Sequence, residues 1–207
     1  MQKKILIIDY GMGNLRSILK ASQRIKAQVE VSNSIDKILK AKKLILPGVG
    51  HFKKGMENLH NSGLLDVLKK LIIHDRVPVL GICLGMQLLT KMSEEGDEKG
   101  LELIDAETIH FKNFNINTLS KIPHVGWNTI HSYNGNELLK GVNGEMMYFV
   151  HSYAVRCKNP DNVLCSSVYG GVEFHSGIRK DNVYGVQFHP EKSHKAGLNI
   201  LENFVRL

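Results

Sequence analysis

An apolar run that stops at a cysteine between two glycines, VLGICLGMQLL at residues 79–89, constrains the fold more than any other stretch. The run up to Ile82 predicts a buried strand, and residues 84–92 predict a helix. Glycines on either side of Cys83 permit a sharp turn between them, because they carry no Cβ to clash with neighbouring backbone. Cys83 would then lie at the helix N-terminus, where the partial positive charge favours a thiolate and free N–H groups can bind an oxyanion.

A second motif decides how this cysteine is interpreted. Free cysteines in apolar strands are commonly small buried residues without chemistry. In YGVQFHPEKS at residues 184–193, however, His189 ends an apolar strand and Glu191 follows two positions later. Pro190 limits the backbone between them to an extended or turn geometry, so Glu191 can orient the imidazole that activates Cys83. The three side chains form a candidate Cys-His-Glu triad.

Length and composition narrow the class of protein. The 207 residues are enough for one domain with a full core. Residues 1–4 are followed by only four apolar residues, and no apolar stretch approaches membrane-spanning length, so we expect a cytoplasmic protein. The three cysteines, Cys83, Cys157 and Cys165, are too few and too scattered for a disulfide framework and show no zinc-type spacing.

The formal net charge of +7 raises the question of nucleic-acid binding. The lysines occur in pairs spread along the chain, such as Lys3-Lys4 and Lys69-Lys70, without aromatic residues between them. A solvated basic surface therefore explains the charge better than a nucleic-acid groove. The same charge would suit an anionic partner surface.

The first half of the chain alternates between strand and helix. Strands are predicted at residues 4–9, 29–32, 44–46 and 78–82, and the intervening patterns predict helices, which is typical of a parallel sheet covered on both faces. Ligands of such sheets bind at the carboxyl ends of the strands. The loop Pro47-Gly48-Val49-Gly50 follows the third strand, and its glycines would let backbone N–H groups face a ligand, although an ordinary turn fits as well. The turn at residues 10–14 lacks the third glycine of a dinucleotide fingerprint.

The second half changes to a period of two. A charged tract at residues 93–100 is interpreted as a solvated, flexible loop. The strands that follow are separated by Asn/Gly turns, and we expect a largely antiparallel half that carries His189 and Glu191 and ends in a closing helix. These strands are predicted at residues 107–111, 125–130, 146–155, 163–168, 172–178 and 183–188.

The motifs together resemble a known family. GICLGMQLL and YGVQFHPEKS are similar to the triad-type (class I) glutamine amidotransferases. IIDYGMGNL, ILPGVG, SEEG, PHVGWN and FVHSYAV occur in the same order as in one branch, the glutaminase subunit of imidazole glycerol phosphate synthase. The resemblance runs from Ile7 to Phe204. It implies an α/β fold in a single domain, residues 1–207, with a central, mostly parallel sheet flanked by helices and an antiparallel C-terminal extension.

The resemblance also assigns roles that the patterns alone leave open. It implies hydrolysis of L-glutamine to glutamate and ammonia, with no metal or organic cofactor. Glu95 would bind the substrate's amino group, Gln87 its polar end, and the backbone of Ser152 and Tyr153 its carboxylate. The N–H groups of Val49 and Leu84 would bind the oxyanion, on a strand that the family suggests is misaligned until a partner binds its own substrate. The predicted oxyanion and substrate residues are Gly48, Val49, Gly50, Leu84, Gln87, Glu95, Ser152 and Tyr153.

A partner is implied as well, because free ammonia would be protonated and lost to solvent. The resemblance implies a heterodimer with a (β/α)₈ cyclase subunit of histidine biosynthesis, facing Trp127, Tyr148 and Lys192. The acceptor stays open, since similar subunits serve amidotransferases of surface sugars. Two departures also bear on it: Glu102 and Asp105-Ala106 stand where the family's pattern tends to have Gly and Pro-Gly, and the chain is unusually basic. A non-catalytic regulatory subunit and a cysteine peptidase or amidase are the remaining alternatives.

Overall fold

The first half of the chain builds one parallel sheet. A computed structural model describes residues 4–133 and 135–207. Residues 1–3 lie outside that range. They include Lys3 of the first lysine pair and most of the N-terminal segment that contributed to the expectation of a cytoplasmic protein. The elements are β1 (Ile5–Ile8), α1 (Leu15–Arg24), β2 (Val29–Ser32), α2 (Ile35–Ile38), β3 (Lys43–Leu46), α3 (Phe52–Asn61), α4 (Leu64–Lys69), β4 (Val79–Ile82) and α5 (Leu84–Leu88). A π-helical turn, Lys70–His74, extends α4.

These strands are parallel and lie in the order β2-β1-β3-β4. Every residue of β1, β3 and β4 is buried, as expected of strands covered on both faces. Apolar residues on the two faces of the sheet form two separate core clusters. The carboxyl ends of β3 and β4 lie side by side and deliver the Pro47–Gly50 loop and Cys83 to one edge of the sheet.

Helix α5 ends earlier than the sequence pattern predicts. It stops at Leu88, whereas a helix to Met92 was expected. The carbonyls of Leu88 and Leu89 accept hydrogen bonds from the N–H groups of Leu101 and Leu103, so the chain leaves the helix without unpaired carbonyls. Met92 instead begins a short strand.

The second half extends the sheet and adds a small separate one. Its elements are β5 (Met92–Ser93), β6 (Glu98–Lys99), β7 (Ala106–His110), β8 (His124–Thr129), β9 (His131–Ser132), β10 (Met146–His151), β11 (Tyr153–Cys157), β12 (Val163–Tyr169), β13 (Val172–Lys180), β14 (Val183–Val186) and α6 (His194–Arg206). Strands β8 and β10 form a two-stranded antiparallel sheet, and the others join the large sheet. No helix in the described part of the chain is both long and apolar enough to cross a bilayer.

Two predictions for this half were wrong. The tract at residues 93–100 includes paired strands, because Met92 and Ser93 pair with Lys99 and Glu98. The strand predicted at residues 146–155 is two strands in different sheets: β10 pairs with β8, and β11 with β7. The chain changes sheets at Ser152, whose carbonyl accepts from Phe111 N–H. A periodicity of two is the same on both sides of that switch and so cannot reveal it.

Strand β14 connects the parallel and antiparallel parts. It pairs in parallel with β4 and antiparallel with β13. Its register sets Val186 opposite Ile82. The expectation that the strand before His189 belongs to an antiparallel half was therefore incomplete. Because β4 and β14 run in the same direction, Cys83 and His189 both follow carboxyl ends of adjacent strands.

Candidate active site

Cys83 occupies a strained turn between β4 and α5. Its backbone has φ 55° and ψ −110°, a combination that a non-glycine residue adopts only where its surroundings impose it. A Cβ on Gly85 would lie 1.8 Å from the carbonyl oxygen of Leu46, and one on Gly81 2.6 Å from the oxygen of Gly85. Only glycine fits at either position. The turn holds the Cys83 side chain at the sheet edge, with 6% of the residue exposed.

His189 and Glu191 form a buried ion pair beside this turn. Nδ1 of His189 lies 2.8 Å from Oε1 of Glu191, and their side chains are 2% and 1% exposed. Burial by itself lowers the pKa of His189, but hydrogen bonding and charge interaction with Cys83 and Glu191 outweigh it and raise that pKa to about 10. His189 is therefore held as an imidazolium, a positive charge of the kind that stabilises the thiolate form of a cysteine nucleophile.

The second ring nitrogen of His189 is oriented for proton exchange with the cysteine. Nδ1 is hydrogen bonded to Glu191, while Nε2 is buried and has no hydrogen bond in good geometry. The Cys83 thiol faces the carbonyl of Val150, with 3.9 Å between Sγ and O. Hydrogen bonds between nucleophile and base are often loose before substrate binds, so this arrangement is compatible with Nε2 acting as the base for the thiol.

A cavity of about 230 Å³ opens over Cys83. It brings together most of the residues that the resemblance implied, from four separate parts of the chain. His189 and Glu191 are not part of this lining, and neither are Gly48, Trp127, Tyr148 and Lys192. The lining residues are Val49, Gly50, Cys83, Leu84, Gln87, Glu95, Val150, His151, Ser152 and Tyr153.

The predicted oxyanion hole is closed in this structure. The N–H of Leu84 donates to the carbonyl of Gly48, with 3.3 Å between N and O, so it is not free for an oxyanion. The buried hydroxyl of Tyr10 donates to the carbonyl of Pro47 at 2.7 Å and fixes the start of the loop. A Cβ on Gly48 would lie 2.7 Å from both Gly85 N and Leu84 Cβ, which explains why this position is glycine. Rotation of the peptide between Gly48 and Val49 would release Leu84 N–H.

Glu95 connects the cavity to helix α3, which follows this loop. Its Oε2 accepts the backbone N–H of Phe52 at 2.7 Å, at the N-terminus of α3. The helix dipole and the N–H group both stabilise the carboxylate there. Oε2 is thereby fixed, and the carboxylate borders the cavity, where an ammonium group could bind.

Gln87 presents an acceptor to the cavity. Its Nε2 donates to the carbonyl of Tyr153 at 3.2 Å and to Oε1 of Gln187 at 3.1 Å. Because Tyr153 O can only accept, the orientation of the Gln87 amide is fixed by its partners. Both of its N–H groups are then occupied, and Oε1 is left to accept a hydrogen bond from a ligand.

The three predicted interface residues lie together on the small sheet and the loop behind the triad. Trp127 contacts Tyr148 edge-on at 5.9 Å and stacks on His194 at 4.9 Å, measured between ring centroids. Nζ of Lys192 lies 5.4 Å from the Tyr148 ring centroid. The carbonyl of Tyr148 accepts the N–H of His189 at 2.9 Å, so this surface is bonded directly to the triad loop.

The sequence interpretation missed one residue beside the thiol. Gln187 is fully buried, and its Nε2 lies 3.7 Å from Cys83 Sγ. The available signal was a lone amide inside the apolar strand before His189. No group of three or more His, Cys, Asp or Glu side chains in residues 4–133 and 135–207 is placed to hold a metal ion.

Comparisons with known proteins show which family the chain belongs to. A family model described as glutamine amidotransferase class-I matches residues 6–207. The chain belongs to the class I glutamine amidotransferase family. Among solved structures, one described as a glutamine amidotransferase covers 96% of this chain and 98% of its own length, with a TM-score of 0.74 and 18% identity. The PurLQS structure from Thermotoga maritima gives a TM-score of 0.73 at 16% identity, over 100% of this chain and 99% of that chain. At these identities the likeness supports the fold of this amidotransferase.

More similar sequences come from curated relatives of this amidotransferase. A protein of Methanococcus maripaludis named imidazole glycerol phosphate synthase subunit HisH 2 is 49% identical, over 98% of each chain. The protein of the same name from Pseudomonas aeruginosa is 46% identical, over 98% of this chain and 99% of its own. The imidazole glycerol phosphate synthase subunit HisH of Methanocaldococcus jannaschii is 48% identical, over 97% and 98%.

Proposed function

We propose that this amidotransferase is the glutaminase subunit of an imidazole glycerol phosphate synthase and that Cys83, His189 and Glu191 are its catalytic triad. The chemistry rests on one observation above all: Cys83, which lines the cavity, and the buried His189–Glu191 pair both follow the carboxyl ends of adjacent parallel strands. The synthase assignment rests on the relatives at 46–49% identity over nearly the full length.

The first half-reaction forms a thioester. Sγ of Cys83, deprotonated by His189, attacks the side-chain amide carbon of L-glutamine, and the carbonyl electrons move to the oxygen. When this oxyanion collapses, the carbon–nitrogen bond breaks and His189 gives its proton to the departing ammonia. Glu191 keeps the imidazole in the tautomer that presents Nε2 to the sulfur.

The second half-reaction restores the thiol. A water molecule, deprotonated by His189, attacks the thioester carbon, the carbon–sulfur bond breaks, and the sulfur recovers the proton from the imidazolium. The products are glutamate and ammonia. No metal or organic cofactor takes part in this sequence, and the atoms of glutamine and water account for both products.

Substrate recognition follows from the cavity lining. Glu95 would bind the amino group of the substrate, and Oε1 of Gln87 would accept a hydrogen bond from an N–H group of the substrate. Backbone at Ser152 and Tyr153 would bind the carboxylate. Oxyanion stabilisation needs the Gly48 carbonyl to leave Leu84 N–H, after which Val49 and Leu84 N–H can point at the same oxygen. This closed starting state supports the expectation that a partner activates the subunit.

The partner that we propose is the cyclase subunit, of (β/α)₈ type, seated on Trp127, Tyr148 and Lys192. Val125, Trp127 and Met146 expose 55%, 41% and 51% of their surface on the same small sheet, so an apolar area is available beside the triad loop. Ammonia released there would pass to the acceptor without crossing bulk solvent.

The test mixes the full chain with this cyclase and its ribotide and measures glutamine hydrolysis. We expect the hydrolysis rate to rise on addition of both, and the Cys83→Ala variant to lose it. Covalent labelling of Cys83 by a glutamine-like electrophile, unaffected by peptide competitors, excludes a peptidase and a non-catalytic subunit. Stimulation by a surface-sugar amidotransferase, with none by the cyclase, would transfer the subunit to that alternative acceptor and disprove the synthase assignment.

A further inference from the structure

Gln187 is the buried polar group that the proposed mechanism leaves without a role. It follows β14 directly, between Val186 and Phe188, and none of these three residues is accessible to solvent. Burying an amide is unfavourable unless its donors and acceptors are satisfied. Its side-chain contacts should therefore show what the amide is for.

The amide of Gln187 has one possible orientation. Its Oε1 accepts from Nε2 of Gln87, and that nitrogen must be a donor because it also faces the carbonyl of Tyr153. The carbonyl of Tyr153 accepts from His151 Nδ1 as well, at 2.7 Å, which holds this acceptor in place. Nε2 of Gln187 therefore points to Cys83, and the sulfur, 3.7 Å away, is its side-chain acceptor.

The strength of the hydrogen bond from Gln187 to Cys83 depends on the charge of the sulfur. A neutral thiol is a weak acceptor, whereas hydrogen bonds to ionised groups are about twice as strong as those between neutral groups. An N–H donor held on the sulfur at this largely buried position thus stabilises the thiolate more than the thiol. In the proposed reaction His189 accepts the proton from the sulfur, whereas Gln187 donates a hydrogen bond to it, so the two residues have different roles.

From this geometry we infer that Gln187 is a positioning residue of the proposed glutaminase reaction: its side-chain N–H holds and stabilises the Cys83 thiolate, and Gln87 fixes its orientation. Gln87 would then link the substrate cavity to the nucleophile, because one amide borders the ligand and also orients the donor on the sulfur. This inference rests on the proposed role of Cys83 as nucleophile.

The test uses the full chain without substrate and measures alkylation of Cys83 by iodoacetamide against pH, with the labelled site read by mass spectrometry. Gln187→Met fills nearly the same volume without a donor, and we expect the pH midpoint of alkylation to rise by about one unit. Gln187→Glu keeps an acceptor for Gln87 but puts a carboxylate on the sulfur, so its midpoint should rise further. A space-filling role predicts no change for the Met variant, and that result overturns the inference.

A matched control removes another buried hydrogen bond. Ser167→Ala loses the bond to Ser176 in the same sheet, 3.0 Å between oxygens, and should lower stability without moving the midpoint. If the Gln187 variants do not fold, the wild-type chain still decides: the side-chain Nε2 signal of Gln187 in NMR should titrate with the alkylation midpoint, and an invariant signal contradicts the inference. Loss of glutamine hydrolysis in Cys83→Ala tests the nucleophile separately, so the two failures are distinguishable.

Discussion

At the scale of single residues, the site is organised by which partner each polar atom already has. One carboxylate oxygen of Glu191 is bonded to His189, while the other is buried without a partner. One oxygen of Glu95 is bonded to Phe52 N–H, and both amide hydrogens of Gln87 are used within the protein. Among the atoms that remain, Nε2 of His189 and Oε1 of Gln87 are those that the proposed reaction and its substrate require.

Replacing Glu191 by glutamine tests the tautomer and the charge together. In Glu191→Gln the new amide oxygen can still accept a hydrogen bond from Nδ1 of His189, but the side chain carries no charge. We therefore expect kcat/KM for glutamine to fall on the order of 10²-fold or more. Because the pKa of His189 is raised partly by Glu191, the alkaline limb of the pH–rate profile should move to lower pH. The same change at the surface, Glu202→Gln, is the control, and a wild-type rate in the Glu191 variant would remove Glu191 from the triad.

Glu95 combines two tasks that different substitutions separate. In Glu95→Gln an amide oxygen still accepts from Phe52 N–H, so the protein should stay as stable while KM for glutamine rises about tenfold or more through loss of the ionic contact. Glu95→Ala should also lose about 1 kcal/mol of unfolding free energy, because the N-terminus of α3 loses its acceptor. Steady-state kinetics and urea denaturation measure the two effects.

The neighbouring Glu94 provides the matched control for Glu95. Its carboxylate accepts from His110 N–H and Asn113 Nδ2 on the exposed side of the chain, away from the cavity. Glu94→Gln should leave KM unchanged. An equal rise in KM for the two glutamine variants would show that Glu95 does not contact the substrate.

At the scale of elements, the sequence predicted the parallel core well, because β1, β3 and β4 are short, mainly apolar runs next to proline or charged residues. The glycines on either side of Cys83 also predicted the sharp turn between β4 and α5. Short strands were missed: β5, β6 and β9 have two residues each, too few for a periodic pattern. The contact of Gln187 with Cys83 depends on strand register, which no local pattern contains.

Glu102 follows the small β5–β6 hairpin and shows why a departure from the family pattern can matter. Its φ is +59°, a left-handed conformation that suits glycine, the residue that the family's pattern has there. We therefore expect Glu102→Gly to raise the unfolding free energy by about 1 kcal/mol. Asp105→Gly, at a position without positive φ, should lower it. Urea denaturation decides, and destabilisation by Glu102→Gly would mean that its side chain contributes more than the backbone conformation costs.

At the scale of the whole molecule, two buried histidines of the small sheet lie where it packs against the large one, and His151 also donates to Tyr153 O of β11. His124 of β8 and His151 of β10 are hydrogen bonded at 3.0 Å between Nδ1 and Nε2, among the rings of Phe111, Phe149 and Phe174. Burial lowers the pKa of His124 to about 4 and that of His151 to about 3. Both rings are therefore neutral at physiological pH, and each hydrogen bond in the chain has a defined donor.

These lowered pKa values predict that acid weakens the contact between the small sheet and the large one. Below pH about 6.5 the unfolded chain binds protons at both histidines while the folded chain does not, so the unfolding free energy falls as the pH decreases toward 4. For His151 the loss between pH 7 and pH 5 is about 2 kcal/mol. His189 does not add to this loss, because its raised pKa leaves it protonated in both states below pH 6.5.

A histidine variant isolates this contribution from other acid effects. In His151→Asn the amide can still donate to Tyr153 O, but nothing titrates there, so the fall in unfolding free energy between pH 7 and pH 5 should be smaller than in the wild type by about 2 kcal/mol. The exposed His74→Asn is the control and should keep the full pH dependence. Urea denaturation at both pH values measures the difference. If the unfolding free energy of His151→Asn falls as much between pH 7 and pH 5 as that of the wild type, protonation of His151 is not the cause of the acid sensitivity. The sensitivity must then come from other groups.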